Sequence, residues 1–578
     1  MKNLKKVITP QKIIIVIMII TATLLSSSFI FQKGILKGVD TQYHLSRIKG
    51  IAESWKAGNI PAYIHLDDAG YGYAMGFFYS NIFMILPSIL YILGMDIIVA
   101  YKIFIIICGL FTAISMYICV KEITKNKYAA TIAMFIYTTC SYRIITMIAK
   151  AFIGELLSFI FIPLIFLGIY KIIYENEKKW WIFSIGFIGI LNSNLVMTEI
   201  MICVSLFIII LNIKTILKNK EKILGLIKAT ILALLLSTNF WMPMLEQLNK
   251  SKFNMFTIME YYKPSKWLIE FKDIFLGTVQ YKNNLAAAYG LGLIFVIILP
   301  FRIKIKENNQ KINFGDIILL IGLILLIMLT NYFPWEKLNK IGETIQFPSR
   351  FEVVISAIFA IECGIILSYI KKEKTKKIIF GLIFVWQVVS IILCYNSCIE
   401  TIQKYIGVKD INIIKVKKDF CYNICDGVYL PEGANSYDFE KNNKSKEKKE
   451  DLKTNNEQLQ HESQKEKNKM KIKFSNNNLK DTYIDIPINY YYGYEGISEK
   501  DKSEYKLEKS PEGLIRIYLA EKKEDEIIVQ YKKTKIQKNS LIISTISFIA
   551  TIIYISYKKI EKEKYKRIKK IKEMTYGK

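Results

Sequence analysis

The sequence predicts a mainly α, polytopic transmembrane helical bundle of about 12 spans, with a large first outer loop and a small β-rich extracytoplasmic domain before the last span. Three observations carry this prediction. Of 578 residues 52% are hydrophobic, the mean hydropathy is +0.25, and the Ile-, Leu- and Phe-rich runs are longer than soluble cores use. The net charge of +29 comes from 79 Lys and Arg against 50 Asp and Glu. These cations stand in short clusters between the apolar runs, which is the positive-inside pattern rather than a nucleic-acid patch. Finally, the runs between neighbouring clusters come mostly in pairs, as chains returning to the same side require. Membrane lipids are therefore the expected surroundings, and no nucleic-acid partner is expected.

The first run, Ile13 to Phe31, follows Lys2, Lys5, Lys6 and Lys12. It is too long for a signal-peptide core and lacks a small-residue cleavage site, so it reads as an uncleaved first span with a cytoplasmic N-terminus. The clusters Lys121/Lys125/Lys127, Lys171/Lys178/Lys179, Lys214/Lys218/Lys220/Lys222, Arg302/Lys304/Lys306/Lys311, Lys371 to Lys377 and the tail from Lys558 face the cytoplasm in this reading. Paired runs fill the gaps: 128–141 with 152–170, 181–194 with 197–212, 223–241 with 286–301, and 315–331 with 351–370. The exception precedes Lys121, where three runs occur, at 13–31, 77–94 and 98–120. One of them must not cross. Phe77 to Gly94 contains Asn81 and Pro87, and is predicted to be interfacial or re-entrant, which makes 32–97 one structured outer loop.

The boundaries expected are 1–396 for the membrane domain, 397–538 for an extracytoplasmic β-rich domain, and 539–578 for the last span and basic tail. Within the second, 438–470 is Lys, Glu, Asn and Gln with little apolar content, and is predicted to be a disordered insertion. DTYIDIPINYYYGYEG, GLIRIYLAEKK and DEIIVQYKK alternate apolar with polar residues, which predicts strands. Of nine cysteines, Cys394, Cys398, Cys421 and Cys425 flank or enter this region, where one or two disulfides compete with free thiols.

The opening of the outer loop gathers Asp40, His44 and Arg47 within eight residues. A helix starting near Asp40 would place His44 and Arg47 four and seven residues on, roughly along one face. A carboxylate there suits general-base or metal-assisted chemistry on a lipid-borne substrate; it equally suits a helix N-cap. Asp67 and Asp68 form an acidic pair able to hold a divalent cation, or simply to shape the Gly70-Tyr71-Gly72 turn. Glu155, preceded by Arg143 and Lys150, lies at the outer end of a run, where ionisable groups are costly and point to function or to an anchoring ion pair. Arg350, in QFPSRFE, opens a span where a guanidinium would clamp a lipid phosphate or snorkel to headgroups. Glu199 would line a polar break or be capped by its Asn neighbours. Tyr490, Tyr491, Tyr492 and Tyr494 would stack on sugars or pack a β core.

The order G-x-D-x-x-x-H-x-x-R-I, G-x-I-P and GYGYAMGFFYS, followed by SYRIITMIAKAFIGELLSFIFIPLIFLGIY, NFWMPMLEQ, QFPSRFE, DGVYLPEGA and INYYYGYEG, resembles polytopic GT-C-type glycosyltransferases. It looks most like the bacterial family labelled "membrane protein, 6-pyruvoyl-tetrahydropterin synthase-related", and it is similar to YfhO-type membrane proteins. Pterin chemistry is rejected: a three-histidine zinc site cannot be drawn from His44, His65 and an insertion residue, His461, the only three histidines. The resemblance implies an acidic first-loop residue acting as base or metal-linked carboxylate, which by position is Asp40. The resemblance leads one to expect an Arg near Lys150 in many relatives; the Lys keeps the charge without the bidentate fork.

Together these readings imply transfer of a sugar from a polyprenyl-phosphate carrier to a glycan, lipid or protein acceptor outside the cell. Asp40 and Glu155 are the catalytic candidates. His44, Arg47, Arg143, Lys150 and Arg350 are the substrate-binding candidates, and Asp40, Asp67 and Asp68 would hold the one cofactor in view, a divalent cation. The cytoplasmic loops carry no P-loop or dinucleotide fingerprint, in keeping with a lipid-borne donor. The alternatives are a lipid-linked saccharide transporter or flippase and a non-catalytic envelope-assembly protein.

Overall fold

The structure, a computed structural model, describes residues 10–258, 263–272, 274, 299–338, 342–407, 415–416, 422–445, 449–466, 469–475, 482–519 and 523–576. Its main helices are α1 (Pro10–Ser26), α2 (Thr41–Lys56), α3 (Ile85–Ile92), α4 (Ile97–Thr124), α5 (Lys127–Thr138), α6 (Ser141–Ile145), α7 (Ile153–Tyr170), α8 (Trp181–Leu191) and α9 (Leu195–Leu211). After them come α10 (Lys220–Leu236), α11 (Thr238–Lys250), α12 (Gln310–Met328), α13 (Phe351–Leu367), α14 (Glu373–Ile406), α15 (Ser436–Ser445) and α16 (Lys535–Tyr576). Every residue of α13 is buried, as a helix apolar on all sides must be when it forms the centre of a bundle. Around it pack α4, α5, α7 and α12.

Among the described residues six helices are long and apolar enough to cross a membrane, and the pair α10 and α11, bent by 69°, would make a seventh. That is fewer than the 12 or so expected. The runs at 13–31 and 197–212 give helices of 17 residues, at the lower limit for a span, and the run at 181–194 gives only 11. Most of 286–301 lies outside the described residues. The Phe77–Gly94 run breaks at Tyr79–Asn81, leaving a single turn before the break and, after it, a 3-residue 3₁₀ turn and the 8-residue α3. Eleven helical residues rise roughly 16 Å against a hydrocarbon core of about 30 Å, so this segment is too short to cross as one helix.

Among the described residues between α15 and α16 lie nine strands: β1 (Lys453–Thr454), β2 (Gln460–Glu466), β3 (Lys469–Ser475), β4 (Tyr483–Asn489), β5 (Tyr494–Ser498), β6 (Glu504–Tyr505), β7 (Leu507–Lys509), β8 (Leu514–Tyr518) and β9 (Glu524–Tyr531). They form two antiparallel sheets ordered β1-β4-β8-β7 and β2-β3-β9-β5-β6. Met470, Ile472, Phe474, Ile484, Ile486, Ile515, Ile517, Ile527 and Val529 alternate inward to make the core.

The expected disordered insertion at 438–470 is corrected by this fold. The described part of that stretch includes α15, β1 and β2, and His461 pairs with Phe474 across β2 and β3. β2, QHESQKE, is an edge strand with only Lys465 buried, so it shows no apolar alternation; its order comes from the ladder to β3. Tyr491 is a fully buried member of the apolar cluster beneath this domain, stacked with Phe253, and is not available to a sugar.

The boundaries shift as well. α14 continues to Ile406, so position 396 falls inside a helix, and α16 begins at Lys535, before 539. Cys394 and Cys398 are buried free thiols one turn apart in α14, packed with Ile144 and Ile148. Neither carries a disulfide. Cys421 and the Cys425 side chain lie outside the described residues.

Candidate active site

The site assembles where α2 meets the junction of α6 and α7. α6 runs into a π-helical turn, Thr146–Lys150, which ends at Ala151 with φ +55. A π turn closed by a non-glycine residue in the left-handed region is a costly local choice of the kind found at functional sites. The chain before α2 is zipped onto this turn: Val39 N–H donates to Ala149 O at 2.9 Å and Asp40 N–H to Lys150 O at 3.0 Å. Gly38 makes the approach feasible, since a Cβ there would lie 2.4 Å from Ile148 O.

Asp40 occupies the N-cap of α2, as the capping reading required, but its carboxylate makes no capping hydrogen bond and is half-buried. Its charge acts on the phenols of Tyr79 and Tyr101. Below it His44 and Arg47 are fully buried. Arg47 lies 4.1 Å above the Tyr79 ring and donates to Ser80 O at 2.9 Å, while His44 Nε2 accepts from Ile153 N–H at 3.4 Å. Burial, reinforced by the Arg47 charge, holds the His44 imidazole well below its ordinary pKa. These two are buried supports of the α2–α7 contact, not open ligands for substrate.

Glu155, Lys150 and Arg350 come together in one buried ring. Tyr142 OH donates to Glu155 Oε2 at 2.8 Å and Arg350 Nε to Glu155 Oε1 at 3.1 Å. Lys150 Nζ donates to Tyr142 OH and to Ser349 Oγ, both at 2.9 Å. Arg350 Nη1 also donates to Ile345 O and Gln346 Oε1, each at 2.8 Å. The ring holds two cations to one anion. Glu352, two residues after Arg350 at the start of α13, is buried with neither carboxyl oxygen hydrogen-bonded, and Lys150 and Glu155 are the charges acting on it.

Arg143 does not join this ring. It is fully buried elsewhere in the bundle and donates to Ser26 Oγ at 3.0 Å and Thr138 O at 3.2 Å. Tyr142 turns toward Glu155 instead, so the residue beside the predicted one supplies the contact.

The metal reading of Asp40, Asp67 and Asp68 is corrected. The Asp67 carboxylate accepts from the N–H groups of Ala69, Gly70, Tyr71 and Gly72 at 3.0, 2.8, 3.4 and 2.6 Å, which shapes the turn, and Asp68 pairs with Lys49. Among the described residues no three His, Cys, Asp or Glu side chains group to hold a metal ion. Glu199 accepts from the Thr344 hydroxyl at 2.8 Å.

Tyr142, Ser349, Tyr79 and Glu352 escaped the sequence reading. Tyr142, Ser349 and Glu352 adjoin or lie close to charged residues in SYR and QFPSRFE, yet a hydroxyl in an apolar run carries no signal until its partner is known.

His65, in the same loop, is fully buried. Asn81 donates its amide N–H to Ala62 O and so turns its oxygen toward His65 Nε2 at 3.2 Å. Burial, with the Arg47 charge, pushes the His65 pKa down to about 3. The unfolded chain protonates this group near pH 6.5 and the folded one does not. Stability is therefore fully present above about pH 6.5 and is lost progressively as pH falls toward 3, with His44 acting in the same direction. Detergent-solubilised protein is expected to melt at lower temperature as pH drops from about 7 to about 4, and His65→Gln to flatten that slope. An unchanged slope in His65→Gln would remove His65 from the account.

The family described as bacterial membrane protein YfhO matches residues 70–414. No curated protein matches. Among solved structures the chain is similar to the arabinofuranosyltransferase AftD from Mycobacteria, at 14% identity and a TM-score of 0.41, over 66% of this chain and 27% of that one. It is also similar to the Archaeoglobus fulgidus oligosaccharyltransferase in its apo form, at 12% identity and a TM-score of 0.38, over 66% of this chain and 56% of that one. The present chain thus matches between about a quarter and just over half of the length of these solved chains.

Proposed function

We propose, from the premise that the chain belongs to the family of bacterial membrane protein YfhO, that this multi-pass membrane protein is a glycosyltransferase of the GT-C type. It moves a sugar from a polyprenyl-phosphate carrier to an acceptor on the outer face of the cytoplasmic membrane. The observation that carries this reading is Asp40: a carboxylate at a helix N-cap, half-exposed, making no capping bond, with its backbone pinned to Lys150 beside the buried Lys150–Glu155–Arg350 ring.

In this reading the Asp40 carboxylate accepts the proton of the acceptor hydroxyl as that oxygen attacks the anomeric carbon. The bond from that carbon to the phosphate oxygen breaks, and the carrier phosphate leaves with the electron pair. The cations Lys150 and Arg350, in surroundings of low dielectric, favour the growing negative charge. Lys150 and Arg350 are 3% and 8% exposed, so they act through their field and through the posture of the α6–α7 junction more than by direct contact. Glu155 is a positioning residue: it holds Tyr142 and Arg350 in place. The test is mass analysis of envelope glycans and glycolipids from cells with and without the gene; identical profiles would overturn the reading.

The proposal requires Asp40 and the β-rich domain to lie outside. Lys500, an exposed residue of that domain, is replaced by Cys in a cysteine-free background, and Lys218→Cys serves as the cytoplasmic counterpart. An impermeant maleimide should label position 500 in intact cells and position 218 only after lysis. The reverse pattern would reject the orientation.

A further inference from the structure

Beyond α1 the chain forms a 3₁₀ turn, Ser28–Phe31, and then runs extended toward Asp40. There it meets the first turns of α4, at the end opposite Lys121 and Lys125, and the short segment 415–416. Leu36 bridges Lys415 antiparallel, and Val416 N–H donates to Ile35 O at 2.8 Å. These pieces border a narrow cavity whose walls include Phe29, Leu36, Gln32, Lys33, Lys102 and Lys415.

Three lysines border this one cavity, and like charges brought close together favour an anion between them. Among the described residues no carboxylate forms an ion pair with Lys33, Lys102 or Lys415. Asp96, whose charge acts on Lys102, caps α4 by accepting from Ile98 and Val99 N–H. Lys102 Nζ is oriented by a hydrogen bond to Gln32 O at 2.6 Å, which leaves two of its three donors for a ligand. The Lys415 stem lies over Gly34, which has φ +79; a Cβ there would meet Lys415 Cδ at 3.3 Å. Gly34 therefore leaves room for that side chain. The surroundings are apolar and open: Leu24 near the end of α1 and Phe31 beside the cavity are 42% and 66% exposed.

We infer that the lysines at the mouth of this cavity bind the phosphate of an anionic membrane lipid, with the lipid chain lying along the exposed apolar face of α1. The cavity lies where two apolar helices, α1 and α4, end together, and the ends of apolar helices are where lysines meet lipid phosphates. Leu36 is four residues before Asp40, so the cavity wall is within about 14 Å of it along the chain. The inference goes beyond the proposed transfer and does not rest on it, because occupancy is read without turnover.

The experiment uses the purified full-length protein and short-chain phosphatidylglycerol as probe, with native mass spectrometry counting bound lipid. Wild type should retain phosphatidylglycerol over phosphatidylcholine. Lys102→Gln with Lys415→Gln should weaken phosphatidylglycerol binding by about tenfold or more. Lys218→Gln with Lys220→Gln, an equal charge change elsewhere, should leave binding unaltered. The inference fails if the first pair binds as wild type does, if the control pair loses as much, or if millimolar inorganic phosphate displaces the lipid completely, which would mark a free-anion site. The Asp40→Asn protein should bind the lipid as wild type does, so loss of transfer and loss of the lipid site are separable.

Discussion

Asp40→Asn is expected to express and melt like wild type while losing transfer activity by about 100-fold or more. The substitution keeps the size of the side chain, and Asn caps a helix about as well as Asp, so helix formation is not at stake. Nor is there a capping bond to lose, because the carboxylate makes none. What disappears is a group that accepts a proton. The backbone bonds Val39 N–H to Ala149 O and Asp40 N–H to Lys150 O do not involve the side chain and should hold the loop in place. The readout is restoration of envelope glycans in a strain lacking the gene, alongside thermal melting of the purified protein. Full restoration by Asp40→Asn would defeat the catalytic assignment; a lowered melting temperature with proportionate activity loss would make Asp40 structural.

Glu155→Ala should cost about 3–5 kcal/mol of stability, the scale set by removing one partner of a buried ion pair. Arg350 Nε, Tyr142 OH and, through it, Lys150 would all lose the carboxylate that organises them. Unpaired buried charge is the reason for the size of the effect, and it also predicts partial recovery: Glu155→Leu with Arg350→Met removes both charges and fills the space. Arg350→Lys separates two roles. The guanidinium donates through Nε to Glu155 and through Nη1 to Ile345 and Gln346, a spread that an ammonium cannot reproduce. It should therefore melt below wild type even though its charge is retained. If Arg350→Lys melts normally and only donor use weakens, Arg350 is a phosphate clamp; if Glu155→Ala melts as wild type does, the ring does not hold the junction together.

Much of the architecture was legible locally. Apolar runs bounded by lysine clusters announced membrane helices, Asn81, Pro87 and the odd number of runs marked Phe77 to Gly94 as a run that does not cross as one helix, and period-two alternation announced β4, β8 and β9. Asp40 announced the start of α2 within a residue. These features are decided within a few turns of chain, where periodicity and capping chemistry operate. The charged pair ending in Glu155 was legible only as a cost: an acid at the end of an apolar run needs a partner, and the sequence does not say which.

Tertiary structure alone chose that partner. Arg350 lies 195 positions from Glu155, and Arg143, only 12 positions away, was passed over for a serine on α1. The same holds for β2, whose polar residues read as disorder until β3 supplied a ladder, and for Asp67, whose oxygens are taken by the four backbone N–H groups of its own turn. By itself the sequence determined which segments are apolar, where helices begin and which charges would have to be compensated. Which groups compensate them was decided by the packing of α2, α6, α7 and α13, because hydrogen bonds and ion pairs depend on separations in space, and local periodicity does not encode those across hundreds of residues.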